Sequence, residues 1–156
     1  MEKKDVKTLA DLIRLSADEF GSKAFIKEKQ GKEIAEKSYA DLYEDVKRLN
    51  GFLKPMGKLH AAVIGATSYN YLVSWFGTVI GGNVIVPIDA QLVCDDICDL
   101  LCHADVSVFF YNARFMLSHT SIMTMTASSS YLPMIFLKWQ TDLLTRYSLS
   151  QQEGLR

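Results

Sequence analysis

Gly77-Thr-Val-Ile-Gly-Gly-Asn-Val-Ile-Val-Pro-Ile-Asp-Ala-Gln-Leu92 decides how this chain is read. An apolar segment runs into the Gly81-Gly82 pair, where the backbone is free to turn, and the β-branched run Asn83–Val86 then leads into Pro87 and Asp89. Just upstream, His60–Gly65 is an apolar run of strand length, and Ser68 is placed to cap a helix reaching about Ile80. Strand, helix and strand in that order, with both strands apolar throughout, predict two buried strands paired in parallel through a right-handed crossover.

Further upstream the signals are local and mutually consistent. Thr8 with Asp11 forms a capping-box start, and Leu9, Leu12, Ile13, Ala17 and Phe20 recur at helical spacing until Gly21. Ala24–Glu28 and Glu33–Ser38 flank Gln30-Gly31-Lys32 and read as a hairpin, with charges that make both strands edge-like. Ser38 caps a second helix to about Lys54, with Tyr39, Leu42, Val46, Leu49 and Leu53 on one face. Asp41, Glu44, Asp45, Lys47 and Arg48 fall on the other, and Pro55 and Gly57 end it.

Downstream, Asp95-Asp96 suit the first turn of a fourth helix, where carboxylates meet the positive end of its dipole, and Val106–Tyr111 reads as a third strand. The character then changes. Of 18 acidic residues only Asp142 and Glu153 lie beyond Asp105, and no glycine falls between Gly82 and Gly154. Ser118–Ser130 and the apolar run Leu132–Leu137 keep neither helical nor strand periodicity. The division is therefore an organised segment over 1–111 and a divergent tail over 112–156, read as the product of a shifted reading frame or else as a genuine, poorly patterned segment.

Size and composition bound the rest. At 156 residues the chain holds one domain or part of one. With 49% hydrophobic residues, 22% charged and a net charge of -1, it offers no electrostatic reason to bind nucleic acid or an anionic membrane. The N-terminus mixes both charges and lacks the apolar core of a secretory signal, which suggests the cytoplasm. Three cysteines between Cys94 and Cys102 make no disulfide framework and suit a reducing compartment. Ala61–Ile88 carries no Asp, Glu, Lys or Arg over more than the ~20 positions a membrane helix needs. Its glycines, asparagines and hydroxyl residues divide it into strand, cap, helix and turn, so no membrane span is expected.

Each candidate for chemistry has a plainer explanation. Cys94, Cys98 and Cys102 would line one helix face, but C-x3-C-x3-C matches neither a zinc knuckle nor the usual iron–sulfur runs, and buried free cysteine behaves as a small hydrophobe. Gly65-Ala66-Thr67-Ser68, between strand and helix, offers backbone N–H groups to a phosphate, yet lacks both glycine-rich fingerprints and reads as a helix cap. The Thr120–Ser130 run has no glycine for close approach and no lysine to meet a phosphate's charge. His60, His103 and His119 are scattered, with His103 suited to a helix C-terminus. No catalytic, cofactor-binding or metal-binding residue is assigned.

Two segments resemble core motifs of the AMP-forming adenylate-forming enzymes, the superfamily of acyl-CoA synthetases, nonribosomal adenylation domains and luciferases. Ser38-Tyr39-Ala40-Asp41-Leu42 is similar to the family's [Thr/Ser]-Tyr-x-Glu-Leu, with aspartate where glutamate is usual. Gly77–Asp89 is similar to its glycine turn, apolar strand and Pro-[Leu/Ile]-Asp, with Gly82, Pro87, Ile88 and Asp89 in the matching places. The resemblance covers about Thr8–Tyr111, in wording nearest the long-chain fatty acyl-CoA ligases.

It implies an α/β fold: a partial three-layer parallel sheet with flanking helices, the N-terminal part of the family's large domain. It also implies a parent enzyme that uses ATP and Mg to activate a fatty acid as an acyl-adenylate and passes the acyl group to coenzyme A. The family's phosphate loop, magnesium-binding glutamate, ribose-binding aspartate and mobile lysine all lie downstream of the matched region. Ser38, Tyr39, Leu42, Gly82, Pro87 and Asp89 are therefore scaffold positions: Gly82 permits the turn, Pro87 fixes the exit from the strand, and Asp89 caps the loop behind it. The expectation is a truncated ligase, inactive alone, binding no cofactor of its own and prone to self-association or aggregation through uncovered apolar faces. The alternative is a small stand-alone α/β binding or interaction module without catalysis, which would bury Leu132–Leu137 and Trp139.

Overall fold

Two capping boxes start the first two helices. In a computed structural model describing residues 6–112, 115 and 135–138, the Thr8 hydroxyl accepts the Asp11 N–H and the Asp11 carboxylate accepts the Thr8 N–H, which opens α1 (Leu9–Phe20). Ser38 and Asp41 repeat the exchange at 3.1 and 2.8 Å to open α2 (Tyr39–Leu53). A box of this kind satisfies two N–H groups that no helical carbonyl can reach. Between the helices, β1 (Ala24–Gln30) and β2 (Glu33–Ser38) form an antiparallel hairpin around Gly31, which sits at φ 66°. A 3₁₀ turn, Lys54–Met56, closes α2.

The main sheet comprises β3 (His60–Ile64), β4 (Val84–Ile88), β5 (Val106–Tyr111) and β6 (Ile135–Lys138) in the order β4-β3-β5-β6, all parallel. The connections are α3 (Tyr69–Val79), between β3 and β4, and α4 (Cys94–His103), between β4 and β5. Period-two alternation sends successive residues to opposite faces of a strand. Ala61, Val63, Val108 and Phe110 accordingly meet Val46, Leu49 and Leu53 of α2 on one face. Ala62, Ile64, Phe109 and Tyr111 meet Ile97, Cys98 and Leu101 of α4 on the other. The fold is α/β, three layers deep, with helices on both sides of a parallel sheet.

Packing of α3 on α2 depends on small residues. A Cβ added at Gly77 would lie 2.7 Å from Leu49 Cδ2, and one at Gly81 would meet the Asn50 side chain. The Asn50 amide donates instead to the Gly77 carbonyl at 3.3 Å. At the turn beyond, Gly82 takes φ 72°, its carbonyl accepts from Lys58 Nζ at 3.2 Å, and Asn83 Oδ1 accepts the Leu59 N–H at 3.2 Å. These bonds tie the start of β4 to the start of β3.

Two expectations about β4 are corrected. β4 is not buried: it is the edge strand, Val84 is 48% exposed, and only Ile88 is buried. Its apolar sequence reads like a central strand because sequence alone does not reveal sheet order. Pro87 lies within β4, opposite Val63, rather than beyond its exit. An edge position tolerates a residue with no N–H to give to the ladder. On α1, only Ile13 of the apolar stripe is buried, with Leu9 and Leu12 exposed. In the tail, Ile135–Lys138 pairs with β5; so short an apolar strand carries no alternation to betray it. Residues 116–134 and 139–156, with the Ser/Thr run, His119 and Trp139, lie outside the described residues.

Candidate functional site

The C-terminal end of β3 is where an open parallel sheet makes a binding crevice, because the chain leaves β3 toward β4 on one side and returns as β5 on the other. There Gly65–Ser68 leads into α3, and Ser68 Oγ accepts the Tyr71 N–H at 3.2 Å. The first amide of the helix, Tyr69 N–H, donates to Glu28 Oε1 of β1 at 2.6 Å. A carboxylate of the protein itself therefore occupies the position a phosphate would need, and this helix N-terminus does not fit an added anion.

Tyr69 is the hub of a polar cluster. Its hydroxyl donates to Asp45 Oδ2 at 2.7 Å, and the other oxygen of Asp45 receives Arg48 at 3.0 Å. The Lys37 ammonium stands 5.2 Å from the Tyr69 ring centroid. Burial first, then the hydrogen bond to Asp45 and that carboxylate's charge, hold the Tyr69 phenol protonated far above its usual range. The cluster joins hairpin, α2 and α3, and its chemistry is structural: every group already has a partner within the protein. Sequence reasoning put Asp45 on the solvent face of α2, but its side chain is only 12% exposed. No pattern in the sequence distinguishes Glu28 from its charged neighbours on the hairpin.

The motif residues fall in two places. Ser38 caps α2, Tyr39 packs on the rings of Phe20 and Phe25 at 5.1 and 5.2 Å, and Leu42 is buried in the core of the same layer. Gly82 turns the chain into β4, Pro87 pairs opposite Val63, and Asp89 Oδ1 accepts the Gln91 N–H at 2.9 Å. Each makes a local structural contact. Cys98 is buried between Cys94 and Cys102 on α4, where burial raises its thiol pKa. His60 Nδ1 lies 2.6 Å from the Ala104 carbonyl, and His103 stands in the last turn of α4. Among the described residues no group of three His, Cys, Asp or Glu is arranged to hold a metal ion, and no helix is long and apolar enough to cross a membrane.

No protein-family model matches the chain, and no curated protein matches it by sequence. Solved structures do. The fatty acyl-adenylate ligase from L. pneumophila, in complex with acyl adenylate and pyrophosphate, superposes with a TM-score of 0.70 at 18% identity over 92% of this chain and 25% of its own. The N-terminal domain of FACL13 from Mycobacterium tuberculosis gives 0.71 at 16% identity, over 93% of this chain and 36% of its own. The fold is that of the N-terminal part of the adenylate-forming ligases. The anthranilate CoA ligase AuaEII, in complex with anthranoyl-AMP, agrees, with a TM-score of 0.68 at 17% identity, 83% of this chain and 24% of its own. The chain thus spans about a quarter of the full-length ligases it matches.

Proposed function

We propose that this chain is the opening scaffold of the large domain of a cytoplasmic, AMP-forming acyl-CoA ligase, and that alone it neither binds ATP and Mg nor activates a fatty acid for transfer to coenzyme A. The observation that carries this reading is the pairing of a ligase-like fold with a sequence that has no glycine between Gly82 and Gly154. Nucleotide activation needs backbone approaching the phosphates and cations meeting the developing charge. At the start of α3, after β3, the helix N-terminus is instead taken by Glu28. Self-association through uncovered surfaces such as the open β4 edge belongs to the same proposal.

Reading the nucleotide sequence downstream of the Tyr111 codon in all three frames tests it. A Thr-Ser-Gly-Thr-Thr-Gly-x-Pro-Lys-like loop in another frame makes the tail a frameshift product of a full-length ligase gene. If no frame encodes one, the proposal gives way to a stand-alone binding module.

A further inference from the structure

Charge is unevenly distributed along this chain. No lysine or arginine falls between Lys58 and Arg114, while Asp89, Asp95, Asp96, Asp99 and Asp105 do. Every ion pair among the described residues lies between Asp11 and Arg48, so Asp95, Asp96, Asp99 and Asp105 have no ion-pair partner there. Three of these aspartates stand on α4, whose inner face, Ile97, Cys98 and Leu101, is spent on the sheet.

The outer face of α4 is neither flat nor purely polar. It borders a groove of about 910 Å³ lined by Leu92, Asp96, Asp99, Leu100, Cys102 and His103. Leu100 is 43% exposed, and Val93, just before the helix, is 63% exposed. Apolar side chains with a carboxylate rim and no cation in the surrounding sequence are complementary to one chemistry, an apolar stripe flanked by positive charge. The same carboxylates repel nucleic acid and anionic lipid. We propose that this groove is a docking surface for a basic amphipathic helix of another protein, its apolar stripe seated on Leu92 and Leu100 and its lysines or arginines facing Asp96 and Asp99. The proposal goes beyond the ligase reading and rests on the outer face of α4 alone.

The test uses the full chain and a fluorescein-labelled leucine–lysine peptide patterned at the helical period, followed by anisotropy and by amide shift mapping. Saturable binding is expected, with shifts centred on α4, weakening as salt is raised. Asp96→Asn with Asp99→Asn should weaken binding at least about threefold, as two exposed charge pairs imply. Glu33→Gln with Glu36→Gln on the hairpin removes the same net charge and should leave affinity unchanged. Equal losses for the two double variants, equally tight binding of a leucine–glutamate peptide, shifts centred away from α4, or absence of saturable binding would each overturn the proposal.

Discussion

Glu28 of the hairpin accepts the Tyr69 N–H, the first amide of α3, at 2.6 Å. The bond joins segments 41 residues apart and closes the N-terminus of α3 to an added anion. Glu28→Ala should cost about 1–3 kcal/mol, the usual range for a charge-assisted hydrogen bond whose loss leaves a partner unsatisfied. Glu28→Gln, which keeps an acceptor, should cost less. Urea unfolding of the two variants checks the order.

Tyr69→Phe removes the donor to Asp45 and leaves Arg48 as that carboxylate's remaining partner. The expected loss is about 1–2 kcal/mol. Because the folded state raises the Tyr69 pKa above its unfolded value of roughly 10, the stabilisation is complete below that pH and falls away as pH rises beyond it. Unfolding midpoints measured across the alkaline range should drop for the parent chain, and the Tyr69 component of the drop should be missing from the phenylalanine variant.

The acid limb belongs in part to the second capping box. The Ser38 N–H, then the Ser38 hydroxyl, bond the Asp41 carboxylate and lower its pKa. A lowered folded pKa gives stability that is present above the unfolded value of about 3.9 and lost as pH falls through the folded one. Ser38→Ala should cost about 1 kcal/mol near neutral pH. Its difference from the parent chain should shrink in acid, as thermal unfolding at several pH values would show.

Gly77→Ala would put a Cβ 2.7–2.9 Å from three atoms of Leu49, itself only 4% exposed and unable to retreat. A loss of about 1–3 kcal/mol is expected from overpacking. Gly31, where a new Cβ would meet nothing within 4 Å, provides the control for strain alone, since it sits at φ +66° without crowding. Chemical denaturation of both alanine variants separates crowding from backbone strain.

Local signals were the legible part of the sequence. The Thr8–Asp11 box, the Ser38 and Ser68 caps and the glycine turns act within a few residues, so the elements stand where the spacing put them. Sheet order was not legible: β4 is as apolar as β3, yet one is the edge and the other central, because order depends on which side of β3 the chain returns. β6 was missed because three apolar residues and a lysine are too short to carry a period. The cluster of Glu28, Asp45 and Tyr69 was missed for a different reason. Each of its acids lies in a charged run that reads as solvated, and only the tertiary approach of hairpin, α2 and α3 removes two of those charges from their expected place.

The most direct measurement of the central claim is pyrophosphate release by the purified full chain, given ATP, Mg²⁺, coenzyme A and a series of fatty acids. The scaffold reading predicts release no greater than from a mock preparation with every acid. Release that depends on the acid and is absent from the mock preparation would contradict it.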